Sequence, residues 1–96
     1  MVEMRQTDRF ADWIGSLRDD RARMRIEVRI RRLQLGNAGD SKSLSEGVSE
    51  LRIDYGPGYR VYFTWRGKTL VVLLAGGDKR TQARDIQTAL ELARNL

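Results

Sequence analysis

The chain contains no cysteine and no histidine among its 96 residues. Without cysteine, disulfides and thiolate metal sites are excluded, and a reducing compartment is permitted. Without histidine, the usual zinc ligand sets and the usual near-neutral proton carrier are both gone. No metal and no cofactor is expected. No apolar run approaches the roughly 20 residues that a bilayer span requires. The start of the chain, Met1-Val2-Glu3-Met4-Arg5, is charged where a secretory signal would carry its apolar core. A soluble, cytoplasmic protein with no membrane partner is expected. Lysine is scarce as well: 15 of the 18 cations are arginine.

What is present is a single domain spanning 1–96, with ordinary apolar content and a formal charge of +5. Arginine's planar fork suits phosphate and carboxylate, although codon bias in a GC-rich genome accounts equally well for the arginine excess. Net charge of this sign favours an acidic partner, either nucleic acid or an acidic protein.

Periodicity divides the chain. Met1 to Gln6 alternates in part (Val2, Met4) and reads as a brief strand. Thr7 or Asp8 can cap a helix whose apolar stripe is Phe10, Trp13, Ile14 and Leu17. Asp19 to Leu35 fits two templates: Met24, Ile26, Val28 and Ile30 alternate like a strand, whereas Ala22, Ile26, Ile30 and Leu33 share a helical stripe. Its length and the Gly36-Asn37 stop decide for a helix, which forms an antiparallel hairpin with the first.

A polar loop, Gly36 to Gly47, leads into three strands. Leu51, Ile53 and Tyr55 alternate with Glu50, Arg52 and Asp54; Gly56-Pro57-Gly58 turns into Tyr59–Trp65; and Arg66-Gly67-Lys68 turns into Thr69–Ala75. The last strand is apolar at both parities, so it belongs inside the sheet. Gly76-Gly77 is expected to end it, and a helix with Ile86, Ala89, Leu90 and Ala93 on one stripe closes the chain. The fold class is α+β, in the order βααβββα: a short N-terminal strand and a helical hairpin packed on an antiparallel sheet of three to four strands, followed by a C-terminal helix.

Strand parity locates the chemistry. Glu50, Arg52 and Asp54 share one face of their strand, and burying Tyr59, Val61, Phe63 and Trp65 puts Arg60 and Tyr62 on that same face. In an antiparallel meander, Asp54, Arg60 and the Gly76–Arg80 segment then meet at one edge. Ordinary solvated cross-strand pairs, Glu50–Arg60 or Arg52–Asp54, would satisfy the same pattern. Ala75-Gly76-Gly77-Asp78-Lys79 lacks the spacing of a nucleotide loop. The second helix carries Arg21, Arg25, Arg29 and Arg32, which read either as a solvated charged face or as an RNA contact surface. Trp13, Phe10 and Phe63 read as core, while Trp65 fits either core or base stacking.

Three blocks carry a resemblance: Glu50-Leu51-Arg52-Ile53, Gly58-Tyr59-Arg60-Val61-Tyr62-Phe63, and Leu73 to Gln82 (LLAGGDKRTQ). Together with the helical hairpin they resemble the RelE/ParE superfamily of toxin–antitoxin toxins, in particular the HigB-like branch of addiction-module killer proteins. The resemblance implies ribosome-dependent mRNA cleavage, with basic residues of the sheet holding the scissile phosphate. By motif position, Arg60 follows the family's Gly-Tyr, and Lys79 and Arg80 form its Lys-Arg pair. Arg52 matches a basic residue on the preceding strand. Some relatives carry a lysine where Glu50 stands and a catalytic tyrosine near Ile86; others use histidine.

Arginine stays protonated and can stabilise a phosphorane but cannot act as its base. The available bases are Glu50, Asp54, Asp78 and the phenols Tyr55, Tyr59 and Tyr62; Glu50 or Tyr62 is expected to serve in proton transfer beside Arg52, Arg60 and Arg80, with Lys79 and the arginines of the second helix on RNA. The expected partners are mRNA on the ribosome and a cognate antitoxin, a helix-turn-helix protein; a higher-order toxin–antitoxin assembly is compatible with this. A gyrase-inhibiting toxin on the same fold and a non-catalytic basic RNA-binding module are the alternatives.

Overall fold

The chain enters a sheet at Glu3–Gln6 (β1) and leaves it for two helices, Asp8–Ser16 (α1) and Asp20–Gln34 (α2). It then returns for Ser41–Ser43 (β2), Val48–Ile53 (β3), Tyr59–Arg66 (β4) and Leu70–Asp78 (β5). A 3-10 turn at Lys79–Thr81 hands over to Gln82–Arg94 (α3). The computed structural model describes all 96 residues. No helix is long and apolar enough to cross a membrane.

Local chemistry explains both early helices. The Thr7 hydroxyl accepts from Phe10 N–H at 3.0 Å and donates to the Leu74 carbonyl at 2.6 Å, so one side chain caps α1 and ties it to β5. Asp19 caps α2 through the N–H groups of Arg21 and Ala22. On α2 the helical period prevails over the strand-like one: Ala22, Ile26 and Leu33 are buried, while Met24 and Val28 are exposed.

The α+β class is as expected, but the sheet is larger and mixed. Its order is β1-β5-β4-β3-β2, with β1 parallel to β5 and the other pairs antiparallel. The fifth strand is β2, three residues inside the expected polar loop, pairing Ser41 with Leu51 and Ser43 with Ser49. A short edge strand exposed to water needs no apolar alternation, so it leaves no periodic signal.

One face carries Leu51, Ile53, Val61, Phe63, Val71 and Leu73 against Phe10, Ala22, Ile26 and Leu33 of α1 and α2. The other carries Val48, Tyr62, Val72, Leu74 and Ala75 against Ala89 and Leu90 of α3. A bulge in β5 lets both Leu74 and Ala75 join the α3 side, because Phe63 pairs with Leu73 and Tyr62 with Ala75.

Gly76-Gly77 does not end the strand, contrary to expectation: Gly76 pairs with Val61 and Gly77 with Arg60, and β5 runs on to Asp78. These glycines serve close approach. A Cβ on Gly76 would lie 2.1 Å from the Trp13 ring, and one on Gly77 would lie 1.8 Å from Asp85 Oδ2. The helices on both sides of the sheet therefore press directly on β5 backbone.

Candidate functional site

The β3–β4 register sets the site. Arg52 lies directly opposite Arg60, and Glu50 opposite Tyr62, so all four side chains share the α3 face, as parity required. Two arginines side by side repel unless each is held elsewhere. Arg52 is held by Asp40, whose Oδ1 accepts from Nε at 3.1 Å and from Nη2 at 2.8 Å. Arg60 turns to Glu50, with Nη1 3.3 Å from Oε1.

The Asp40 loop is itself clamped. Arg29 donates to the carbonyls of Arg52, Ala38 and Asp40 at 2.5, 3.0 and 2.9 Å. Its guanidinium is thus occupied in holding backbone, which separates it from the other α2 arginines.

Because β5 continues through its glycines, it delivers Lys79 to the same edge. Arg52, Arg60 and Lys79 line one cleft of about 410 Å³, together with Asp40, Ile53, Asp54 and Gly58. Lys79 takes part in no ion pair, so its charge is free to meet a ligand. The expected convergence of Asp54, Arg60 and the Gly76–Arg80 segment is present. Arg80, however, stands on the rim and does not line the cleft. It is largely exposed and bonded to Asp78 at 2.9 Å. The Arg80 side chain holds the Asp78 carboxyl below its ordinary range, and Asp78 in turn raises the Arg80 guanidinium.

Glu50 and Tyr62 are not on an open face. The N-terminal half of α3 covers them, and both are buried. Glu50 Oε1 accepts from Gln82 Nε2 at 2.8 Å in addition to its contact with Arg60. The Tyr62 hydroxyl is buried without a hydrogen-bond partner. Burial pushes the Tyr62 phenol up, the carboxylates Glu50 and Asp85 push it further, and Arg60 offsets part of the shift. At neutral pH it is a neutral phenol.

The sequence reading missed Asp40, Gln82 and Asp85. Asp40 sits in a loop with no period. Asp85 is 4% exposed and accepts from the Thr81 hydroxyl; the Thr81/Asp85 spacing of one helical turn was the available signal. Of the α2 arginines, Arg25 lies over the Tyr55 ring at 4.6 Å, and Arg21 and Arg32 are exposed. Arg25 and Arg32 line a second groove, which shares Ile53 and Asp54 with the cationic cleft.

Comparison with known proteins agrees over nearly the whole chain. An uncharacterized protein of Haemophilus influenzae is 48% identical over 95 residues, which is 99% of this chain and 96% of that protein. Residues 12–96 match the family described as phage derived protein Gp49-like (DUF891). The chain belongs to that Gp49-like family.

Proposed function

We propose that this protein is the toxin of a type II toxin–antitoxin system, that it halts translation by cutting mRNA on the ribosome, and that a cognate antitoxin neutralises it. The observation that carries this reading is the cleft in which Arg52, Arg60 and Lys79 converge on a rigid sheet edge. Membership of a phage-derived family fits a mobile addiction module, and each of the three sequence blocks resembling HigB-like toxins supplies residues to the cleft: Arg52 and Ile53, Gly58 and Arg60, and Lys79.

The chemistry follows from the residues. Attack of a ribose 2′-oxygen on the adjacent phosphate places charge on a pentacoordinate phosphorus, and preorganised cations at that point lower the barrier. Arg60 is held by the buried Glu50 and Arg52 by Asp40 on the cleft wall, so little reorganisation is needed. The 2′-OH proton needs an acceptor. Glu50 is occupied beneath α3 and Tyr62 is a buried neutral phenol, which leaves Asp54, exposed on the cleft wall and outside any ion pair, as the acceptor. The bond from phosphorus to the 5′-oxygen then breaks, and that oxygen takes a proton from solvent. With so little proton catalysis from the protein, alignment of the mRNA by the ribosome carries much of the rate, and isolated protein cuts RNA poorly.

Burial of Glu50 and Tyr62 also favours a second reading, in which the cleft only binds and the target is gyrase. Induced expression separates the two. Codon-phased mRNA ends that vanish in Arg60→Ala and Lys79→Ala support cleavage. Trapped gyrase–DNA complexes with intact mRNA overturn it.

A further inference from the structure

Of the six exposed large apolar side chains, three lie on α2: Met24, Val28 and, at its C-terminal cap, Leu35. Their spacing, i, i+4 and i+11, is a single helical stripe. It is the outward stripe, opposite Ala22, Ile26 and Leu33, so no part of this fold covers it. Between it and the β3–β4 corner runs a groove of about 400 Å³, lined by Met24, Val28, Ile53, Arg25, Arg32 and Asp54, with Arg29 at its base. Arg25 and Arg32 on this wall, and Arg21 a turn before them, take part in no ion pair.

Such a surface has two requirements. Three exposed aliphatic side chains gain only from apolar counterparts, and Met in particular adapts its shape to a partner. Unpaired arginines along the same edge gain from carboxylates. A ribose-phosphate backbone meets the second requirement and not the first. An amphipathic helix with an apolar face and an acidic flank meets both, and helix-in-groove docking reads out through the i, i+4 spacing seen here.

We infer that the α2 groove is the docking site for an acidic amphipathic helix of a protein partner. Ile53 and Asp54 form a wall common to this groove and to the cationic cleft. A helix seated along Met24 and Val28 therefore brings its carboxylates to the mouth of the cleft and competes with RNA there. Identifying this partner with the neutralising antitoxin rests on the function proposed above; the groove's preference for an acidic helix does not.

The test uses a fluorescent helical peptide with leucines at i, i+4, i+7 and i+11 and glutamates along one flank, a scrambled peptide of the same composition, and a short single-stranded RNA. Binding to the purified protein is followed by anisotropy. The striped acidic peptide is expected to bind and the scrambled one not. Met24→Ser/Val28→Ser and Arg25→Glu/Arg32→Glu should each weaken the striped peptide about tenfold or more, and saturating peptide should lower RNA affinity. These side chains are exposed, so unchanged thermal melts will show that the variants fold. Equal binding of the scrambled peptide, no peptide binding, or peptide binding indifferent to both double variants overturns the inference. RNA binding that disappears in Met24→Ser/Val28→Ser overturns it in favour of a nucleic-acid surface. Met24→Ser/Val28→Ser should still arrest growth and cut mRNA. If neither it nor the parent protein cuts mRNA while the peptide result holds, the proposed activity fails and the docking site stands.

Discussion

The Glu50–Arg60 pair offers a quantitative test of how the cleft is built. Glu50 has 2% of its side chain exposed and Arg60 14%, at 3.3 Å. Surface ion pairs couple by about 0.2–1 kcal/mol, whereas stripping one partner from a fully buried pair costs about 3–5 kcal/mol. Arg60 retains some water, and its contact is longer than the roughly 2.7–2.9 Å of a strong charge-assisted bond, so an intermediate coupling of about 2 kcal/mol is expected. Glu50→Ala also removes the acceptor of the Gln82 amide, which adds about 1 kcal/mol and brings the single variant to about 3 kcal/mol. For a domain of this size that lowers Tm by about 12–24 °C.

Urea unfolding of the parent, Glu50→Ala, Arg60→Ala and the double variant closes a cycle. A coupling below about 0.5 kcal/mol would refute the argument that Glu50 fixes Arg60. RNA affinity supplies an independent sign. Glu50→Gln makes the protein more cationic, so simple charge counting predicts tighter binding; loss of the group that aims Arg60 predicts weaker binding, which is the expected outcome.

Gly77→Ala forces Asp85 aside and with it the Thr81–Asp85 bond, costing about 3–5 kcal/mol. Gly67→Ala meets no neighbour and costs only its left-handed backbone, about 1 kcal/mol; equal melting temperatures would refute the close-approach account of β5. Tyr62 has a raised folded value, so its contribution to stability is intact below the unfolded phenol's pKa of about 10 and is lost as pH rises beyond it. Ultraviolet titration should show fewer ionised tyrosines in folded than in unfolded protein at alkaline pH. Tyr62→Phe should abolish much of that difference and, by removing an unpartnered hydroxyl, should leave stability equal or up to about 1 kcal/mol higher. Asp78 has a lowered folded value, so its contribution is present above the ordinary carboxylate pKa of about 4 and is lost as pH falls through the folded value. Asp78→Asn should flatten the acid limb of stability measured by urea midpoints across pH, and an unchanged limb would sink the assignment.

Much of this site was legible in the sequence because its logic is local. A period of 3.6 identified α1, length and the Gly36-Asn37 stop decided for a helix at α2, and a period of 2 put Arg52 and Arg60 on one face. The turn at Gly56-Pro57-Gly58 made β3 and β4 antiparallel neighbours, and connectivity then brought the Gly76–Arg80 segment toward Asp54 and Arg60. None of these steps depends on residues far away in the chain.

What only the tertiary structure decided is what covers each face. Parity assigns Glu50 and Tyr62 to a side of the sheet but cannot say that α3 lies over them, so two apparent surface groups prove to be buried. Gly76-Gly77 reads as a strand break by conformational freedom alone; Trp13 and Asp85, pressing from opposite sides, make it the middle of β5. Arg29 and Asp40 come to hold Arg52 only once α2 lies beside β3. Periodicity is a property of neighbouring residues, and burial is a property of whatever else the chain brings near. The phosphate-seeking cations were therefore readable from the sequence, and the groups that aim them were not.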